Sequence, residues 1–156
     1  MDATDLARFI KQNQIAAEIV HLPMKTPTVA DAAEALGVRP QQIVKSLLFL
    51  AAGEPVLVVT NGVTRVQRKR LADVVGLSRR RVKIASAEQV AVIAGYVVGA
   101  VPPFGHPSKL RTLLDVGVLE ETAVYGGGGD INALAHITTL ELKRVTTAEV
   151  VAIADR

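Results

Sequence analysis

Cysteine is missing from all 156 residues. Disulfides, thiolate metal ligands and a cysteine nucleophile are excluded together, and a reducing, cytoplasmic setting fits the chain. Histidine is scarce: His21, His106 and His136 lie far apart with no HxxxH pair, so no metal is expected. Aromatic residues reach only 3%, so a core must be filled by Leu, Val, Ile and Ala, which the 49% apolar content supplies. No run of 18 uncharged apolar residues exists, so no membrane span is expected. The opening "MDATDLARFIKQNQ" is charged and polar, unlike a secretory signal. Both nucleotide-binding glycine fingerprints are absent, as is the G-x-S-x-G of many serine hydrolases. No cofactor is implied.

What the chain does contain is unevenly placed. The net charge is +3, but eight of the eighteen Lys and Arg fall between Arg65 and Lys83, against one acid, Asp73. The rest carries ten bases and fourteen acids. Such a patch is either a solvated helix and turn or the footprint of a polyanion, with Arg65, Arg68, Lys69, Arg79 and Arg80 as candidate phosphate contacts. A second anomaly lies in "QQIVKSLLFL". If this segment is extended, Lys45 shares a face with Ile43, Leu47 and Phe49. Its ammonium then either snorkels to water or serves in a pocket as a three-donor cation for a phosphate, carboxylate or polarised carbonyl.

Two glycine-rich stretches complete the candidates. In "GYVVGAVPPFG", Gly99, Ala100 and Val101 keep backbone N–H groups, whereas Pro102 and Pro103 have none and stiffen the bend. A stiff loop with spare amides can hold a carbonyl oxygen or a carboxylate, and can equally be a tight turn. His106 follows at once, as an acid–base group or a surface residue. In "YGGGGD", Gly126, Gly127 and Gly128 leave room for a ligand or a neighbouring strand, with Asp130 and Asn132 nearby as polar contacts.

The elements follow from pattern. Helices are expected over Asp5 to Gln14, after a Thr28 cap to Gly37, over Gln67 to Val75, and after Ser86, where Glu88 stands one residue short of a capping box. "TTLELKRVT" and "TAEVVAIADR" read as closing helices. Strands are expected at "AEIVHL", Ile43 to Ala51, "VLVVT", Arg81 to Ile84, "LRTLLD", "TAVYGGGGD" and "NALAHI". Asn61–Gly62 is the strongest hairpin signal, with "VTRV" returning from it. Clustered strands without regular alternation predict one α+β domain over residues 1–156, with a mixed, largely antiparallel sheet curled towards a barrel and flanked by helices.

In that order, "TVADAAEALGVRPQQIVKSLLFL", "GEPVLVVTNGVTRVQRKRLADVVG", "GYVVGAVPPFGH" and "GGGG" resemble the YbaK/EbsC family of freestanding aminoacyl-tRNA editing proteins, related to the editing domain inserted in many bacterial prolyl-tRNA synthetases. The most specific part is the lysine ahead of an apolar strand, followed by Gly99-x-x-x-Pro103. The resemblance implies hydrolysis of the ester joining a wrong amino acid to the 3′-terminal adenosine of a tRNA, often tRNA-Pro, with Lys45, Gly99 and Ala100 in the chemistry. It gives Pro103 a part in holding the substrate, and Val101, Pro102, His106, Gly126, Gly127, Gly128 and Asn132 are the further candidate substrate contacts beside it. The implied partners are the acceptor end of an aminoacyl-tRNA and a prolyl-tRNA synthetase. Cysteine-specific members carry a serine before the late glycines and an aspartate soon after. Tyr125 and Asn132 stand at or near those places, so the resemblance leaves cysteine, alanine or another small amino acid open. A catalytically silent tRNA- or synthetase-binding module, or a small-molecule binder, would account for the same residues.

Overall fold

The computed structural model describes residues 1–24 and 28–155. Helix α1 (Ala3–Gln12) starts from Asp2, whose carboxylate accepts from the Thr4 and Asp5 amides. It leads to strand β1 (Ala17–His21) and helix α2 (Val29–Leu36), capped by the Thr28 hydroxyl and stopped by left-handed Gly37. Strands β2 (Val44–Ala51) and β3 (Glu54–Asn61) form an antiparallel hairpin. Helix α3 (Arg68–Val75), strand β4 (Val82–Ile84) and helix α4 (Ala87–Ile93) follow. Strands β5 (Arg111–Asp115), β6 (Ala123–Gly127) and β7 (Ala133–Thr138), helix α5 (Thr139–Thr146) and strand β8 (Glu149–Val151) complete the chain.

The α+β class is as expected, but the single curled sheet is not. The strands form two open sheets: a mixed five-stranded sheet ordered β4-β2-β3-β5-β8 and an antiparallel three-stranded sheet ordered β1-β7-β6. An isolated bridge between Ile43 and Tyr125 joins them. The main core lies between the sheets, where Val44, Leu48, Leu57 and Val59 meet Val124, Ala135 and Ile137. On the opposite face of the large sheet, Phe49, Val56, Val58 and Leu113 pack against Leu71 and Ala72 of α3. Strand β3 is therefore buried on both faces, which its unbroken "VLVV" run requires. Among the described residues no helix is long and apolar enough to cross a membrane.

Three local expectations are corrected. Asn61–Gly62 does not turn a hairpin. Gly62 extends the contact with β2, donating its N–H to the Ile43 carbonyl at 2.7 Å, and a Cβ there would lie 2.5 Å from Val29. The hairpin turn is Ala52–Gly53, with φ of 50° and 87°. "TAEVVAIADR" opens as strand β8, parallel to β5, because Val150 and Val151 extend the sheet once left-handed Thr147 has ended α5. The Ser86 helix does have a capping box, made with Gln89 rather than Glu88.

Candidate functional site

A cleft of about 340 Å³ opens where β2 leaves the contact between the sheets. Val44 and Leu48 face the main core, whereas Leu47 and Phe49 face α3. Lys45, between them and only partly buried, lines the cleft. Its ammonium has no ion-pair or hydrogen-bond partner among the described residues. The opposite wall is the proline loop, represented by Val98, Gly99 and Val101, with Gly127 of β6 beside it.

The loop is a type II turn in its first half. The Ala100 N–H donates to the Val97 carbonyl at 3.0 Å, and Gly99 takes the left-handed position with φ 92°. The expectation that Ala100 offers a spare amide is thereby corrected, since its N–H closes the turn. The Gly99 and Val101 amides have no hydrogen-bond partner among the described residues. The Gly129 N–H donates to the Ala100 carbonyl at 3.0 Å. Carbonyl and following N–H point oppositely in one peptide plane, so the Val101 N–H is directed away from Gly129.

The glycine run explains how the loop comes so close. A Cβ on Gly127 would fall 2.1 Å from the Val101 oxygen, and one on Gly126 would fall 3.2 Å from Pro103 Cδ. A Cβ on Gly128 would strike the Ala133 backbone at 2.4 Å. The neighbour these glycines admit is backbone and proline ring, and of the run only Gly127 lines the cleft.

The remaining wall is mostly apolar. Val29 and Ala32 of α2, Val90 of α4 and Leu134 of β7 contribute, and Ile84 and Val98, 64% and 61% exposed, stand on it from separate elements. Among the described residues the only polar side chains lining it are Thr28, Lys45 and Ser46. The Thr28 hydroxyl is committed to the Asp31 amide. Ser46 Oγ is buried with no hydrogen-bond partner among the described residues, a feature that alternation on a strand could not single out. No carboxylate or imidazole of the described residues lines the cleft.

Several expected substrate contacts lie elsewhere. Pro103 and His106 line a separate cavity of about 400 Å³ with Phe9, Phe104 and Leu110. His106 is partly buried, not a surface residue, and its Nε2 lies 2.8 Å from the Pro102 carbonyl oxygen. Burial pushes its pKa below the ordinary 6.5, against a smaller opposite effect of that carbonyl. Asn132 donates its side-chain N–H to the Leu22 carbonyl at 3.2 Å and so ties the β6–β7 turn to the end of β1. The basic candidates Arg65, Arg68, Lys69, Arg79 and Arg80 are all exposed. Arg68 in addition donates to the Arg79 and Val82 carbonyls, at 3.2 and 2.8 Å, fastening α3 to the start of β4. The basic segment reaches the cleft through β4, whose last residue is Ile84.

The fold and this cleft define a class. Residues 24–145 match the family described as the aminoacyl-tRNA editing domain, and the chain belongs to that family. Among solved structures, a protein provisionally assigned as a trans-editing enzyme for prolyl-tRNA synthetase matches with a TM-score of 0.92 and 30% identity, over 99% of this chain and 97% of that one. YwhH of Bacillus subtilis, itself uncharacterised, is 28% identical over 134 residues, covering 85% of this chain and 83% of that protein. The proline–tRNA ligase of Maridesulfovibrio salexigens is 36% identical over 131 residues, 83% of this chain but 21% of the ligase.

Proposed function

We propose that the protein is an aminoacyl-tRNA deacylase acting in trans, removing a small amino acid such as cysteine or alanine from a mischarged tRNA, with tRNA-Pro as the expected carrier. The observation that carries this reading is that Lys45, Gly99 and Val101 line one cleft, and that the Lys45 ammonium and the Gly99 and Val101 amides have no partner among the described residues. Membership of the editing-domain family supports it.

The reaction asks little of side chains. Water adds to the ester carbonyl carbon and the carbonyl oxygen becomes anionic. The Gly99 and Val101 N–H groups are suited to receive that charge, at roughly 2.7–4 kcal/mol per well-placed donor. Collapse breaks the bond to the ribose oxygen, which leaves with a proton from the water. The products are the free amino acid and the deacylated tRNA. Lys45 holds a phosphate of the acceptor end or the carbonyl itself, and the apolar wall accepts a short side chain. No protein nucleophile is needed, in keeping with a cleft whose described lining holds no carboxylate or imidazole to activate one. If the amino acid is cysteine, its thiol can attack the carbonyl, and the site mainly positions it.

The basic segment is the candidate tRNA surface, with Arg65, Lys69, Arg79 and Arg80 on phosphates and Arg68 as a strut between them. A prolyl-tRNA synthetase is the natural second partner. The test is a deacylation panel of tRNA-Pro charged with Cys, Ala, Ser and Pro. Hydrolysis of one of the first three with Pro-tRNA-Pro spared is expected; no hydrolysis of any, with tRNA still bound, would mark the chain as a silent binding module.

A further inference from the structure

The loop that presents the two free amides is held on its far side by a ring that does not reach the cleft. We propose that His106 is a positioning residue, donating its Nε2–H to the Pro102 carbonyl oxygen and thereby fixing the Gly99–Val101 backbone. What those amides do rests on the deacylase reading above; how they are held does not.

A carbonyl oxygen can only accept, so a ring nitrogen 2.8 Å from it must carry the proton. That fixes the Nε2–H tautomer and leaves Nδ1 unprotonated in the neutral ring. The bond pins the carbonyl of a segment that is already stiff, because Pro103 also narrows ψ of Pro102. The rings of Pro102 and Pro103 lock φ at both positions, and ψ of Pro102 decides where its carbonyl points. Every neighbouring carbonyl that is fastened has a different anchor. Val97 O takes the Ala100 N–H, Ala100 O takes the Gly129 N–H, and Gly105 O takes the Tyr96 hydroxyl. Neither proline can donate, so the Pro102–Pro103 segment depends on the imidazole. His106 itself lines the other cavity, with Lys109 and Leu110, and is absent from the wall that holds Lys45. Its effect on the ester must therefore pass through the loop.

Three variants and one spectrum test this. His106→Gln keeps an N–H near the Nε2 position, whereas His106→Leu keeps bulk and removes the donor. Single-turnover deacylation should fall about 10- to 100-fold in His106→Leu, with KM within about twofold, because a small displacement of catalytic amides costs rate rather than affinity. His106→Gln should recover most of that loss, and His106→Asn, too short to reach, should not. Equal damage by Gln and Leu, or no damage by Leu, would overturn the proposal. Ring ¹⁵N spectra of the wild-type protein at neutral pH should show the Nε2–H tautomer; the Nδ1–H tautomer would overturn it directly. That spectrum judges the proposal even if no charged tRNA is hydrolysed, which would defeat the deacylase reading alone.

Discussion

At the scale of single residues, the site is built from what side chains leave out. Gly127 and Gly99 stand on the same cleft for different reasons. A methyl at Gly127 would lie 2.1 Å from the Val101 oxygen, so the loop would have to retreat. Gly127→Ala should therefore cost about 2–3 kcal/mol in urea unfolding and depress deacylation as well. A methyl at Gly99 meets nothing within 4 Å, and only its left-handed φ resists substitution. Gly99→Ala should cost roughly 1–2 kcal/mol, less than the change at Gly127. A reversed order would mean that the loop does not press on β6 as described. These residues were legible in part. That the prolines lack N–H groups and that the glycines admit a neighbour follows from the letters alone. That the Ala100 amide is consumed by Val97 does not, because it depends on which torsions the turn adopts. The same limit hid the contact that His106 makes, since its partner is a backbone oxygen, and hid Ser46, whose hydroxyl is notable only for lacking a partner among the described residues.

At the scale of elements, local signals were reliable where packing agreed with them and failed where it did not. Thr28, Gly37 and Gly76 cap or stop their helices as the sequence implies. Asn61–Gly62 carries the stronger hairpin signal, yet the β2–β3 turn uses Ala52 and Gly53, because eight residue pairs of β2 and β3 are already in register at that point. Ala52 bears a left-handed φ of 50° that asparagine tolerates better. Ala52→Asn should raise stability by about 0.5–1 kcal/mol; an unchanged or lower denaturation midpoint would count against a primed turn there. The C-terminal segment was misread because short apolar runs do not distinguish helix from strand, and the deciding partner, β5, is distant in sequence. The number of sheets was beyond reach for a similar reason: pairing between β1 and β7 joins residues more than a hundred positions apart.

At the scale of the whole molecule, charge and protonation give two further tests. If Lys69 and Arg80 meet phosphates, replacing both with alanine should lessen the slope of log affinity against log salt by roughly 1.5–2 while leaving stability nearly unchanged. Arg68→Ala should instead cost about 1 kcal/mol of stability, since it removes a donor from two backbone carbonyls. An unaltered salt slope would reject the basic segment as the tRNA surface. His106 gives a pH dependence of defined sign. Its folded-state pKa lies below the ordinary 6.5, so the unfolded chain binds a proton first. The contribution to stability is complete above about pH 6.5 and is lost as pH falls from there through the folded value. Lys109 and Arg144, the other charged side chains on the same cavity wall, are both cationic. Denaturation midpoints of the wild type should drop over that window, and His106→Gln should flatten the drop.

The central claim is that one unpaired cation and one stiff run of main chain act together on an acyl ester. Single-turnover deacylation of mischarged tRNA-Pro by the wild type and by Lys45→Met, beside tRNA affinity at the same salt, tests it most directly. The account predicts a rate loss of about 100-fold or more with affinity kept within about threefold. A Lys45→Met protein that hydrolyses the ester at the wild-type rate would contradict it.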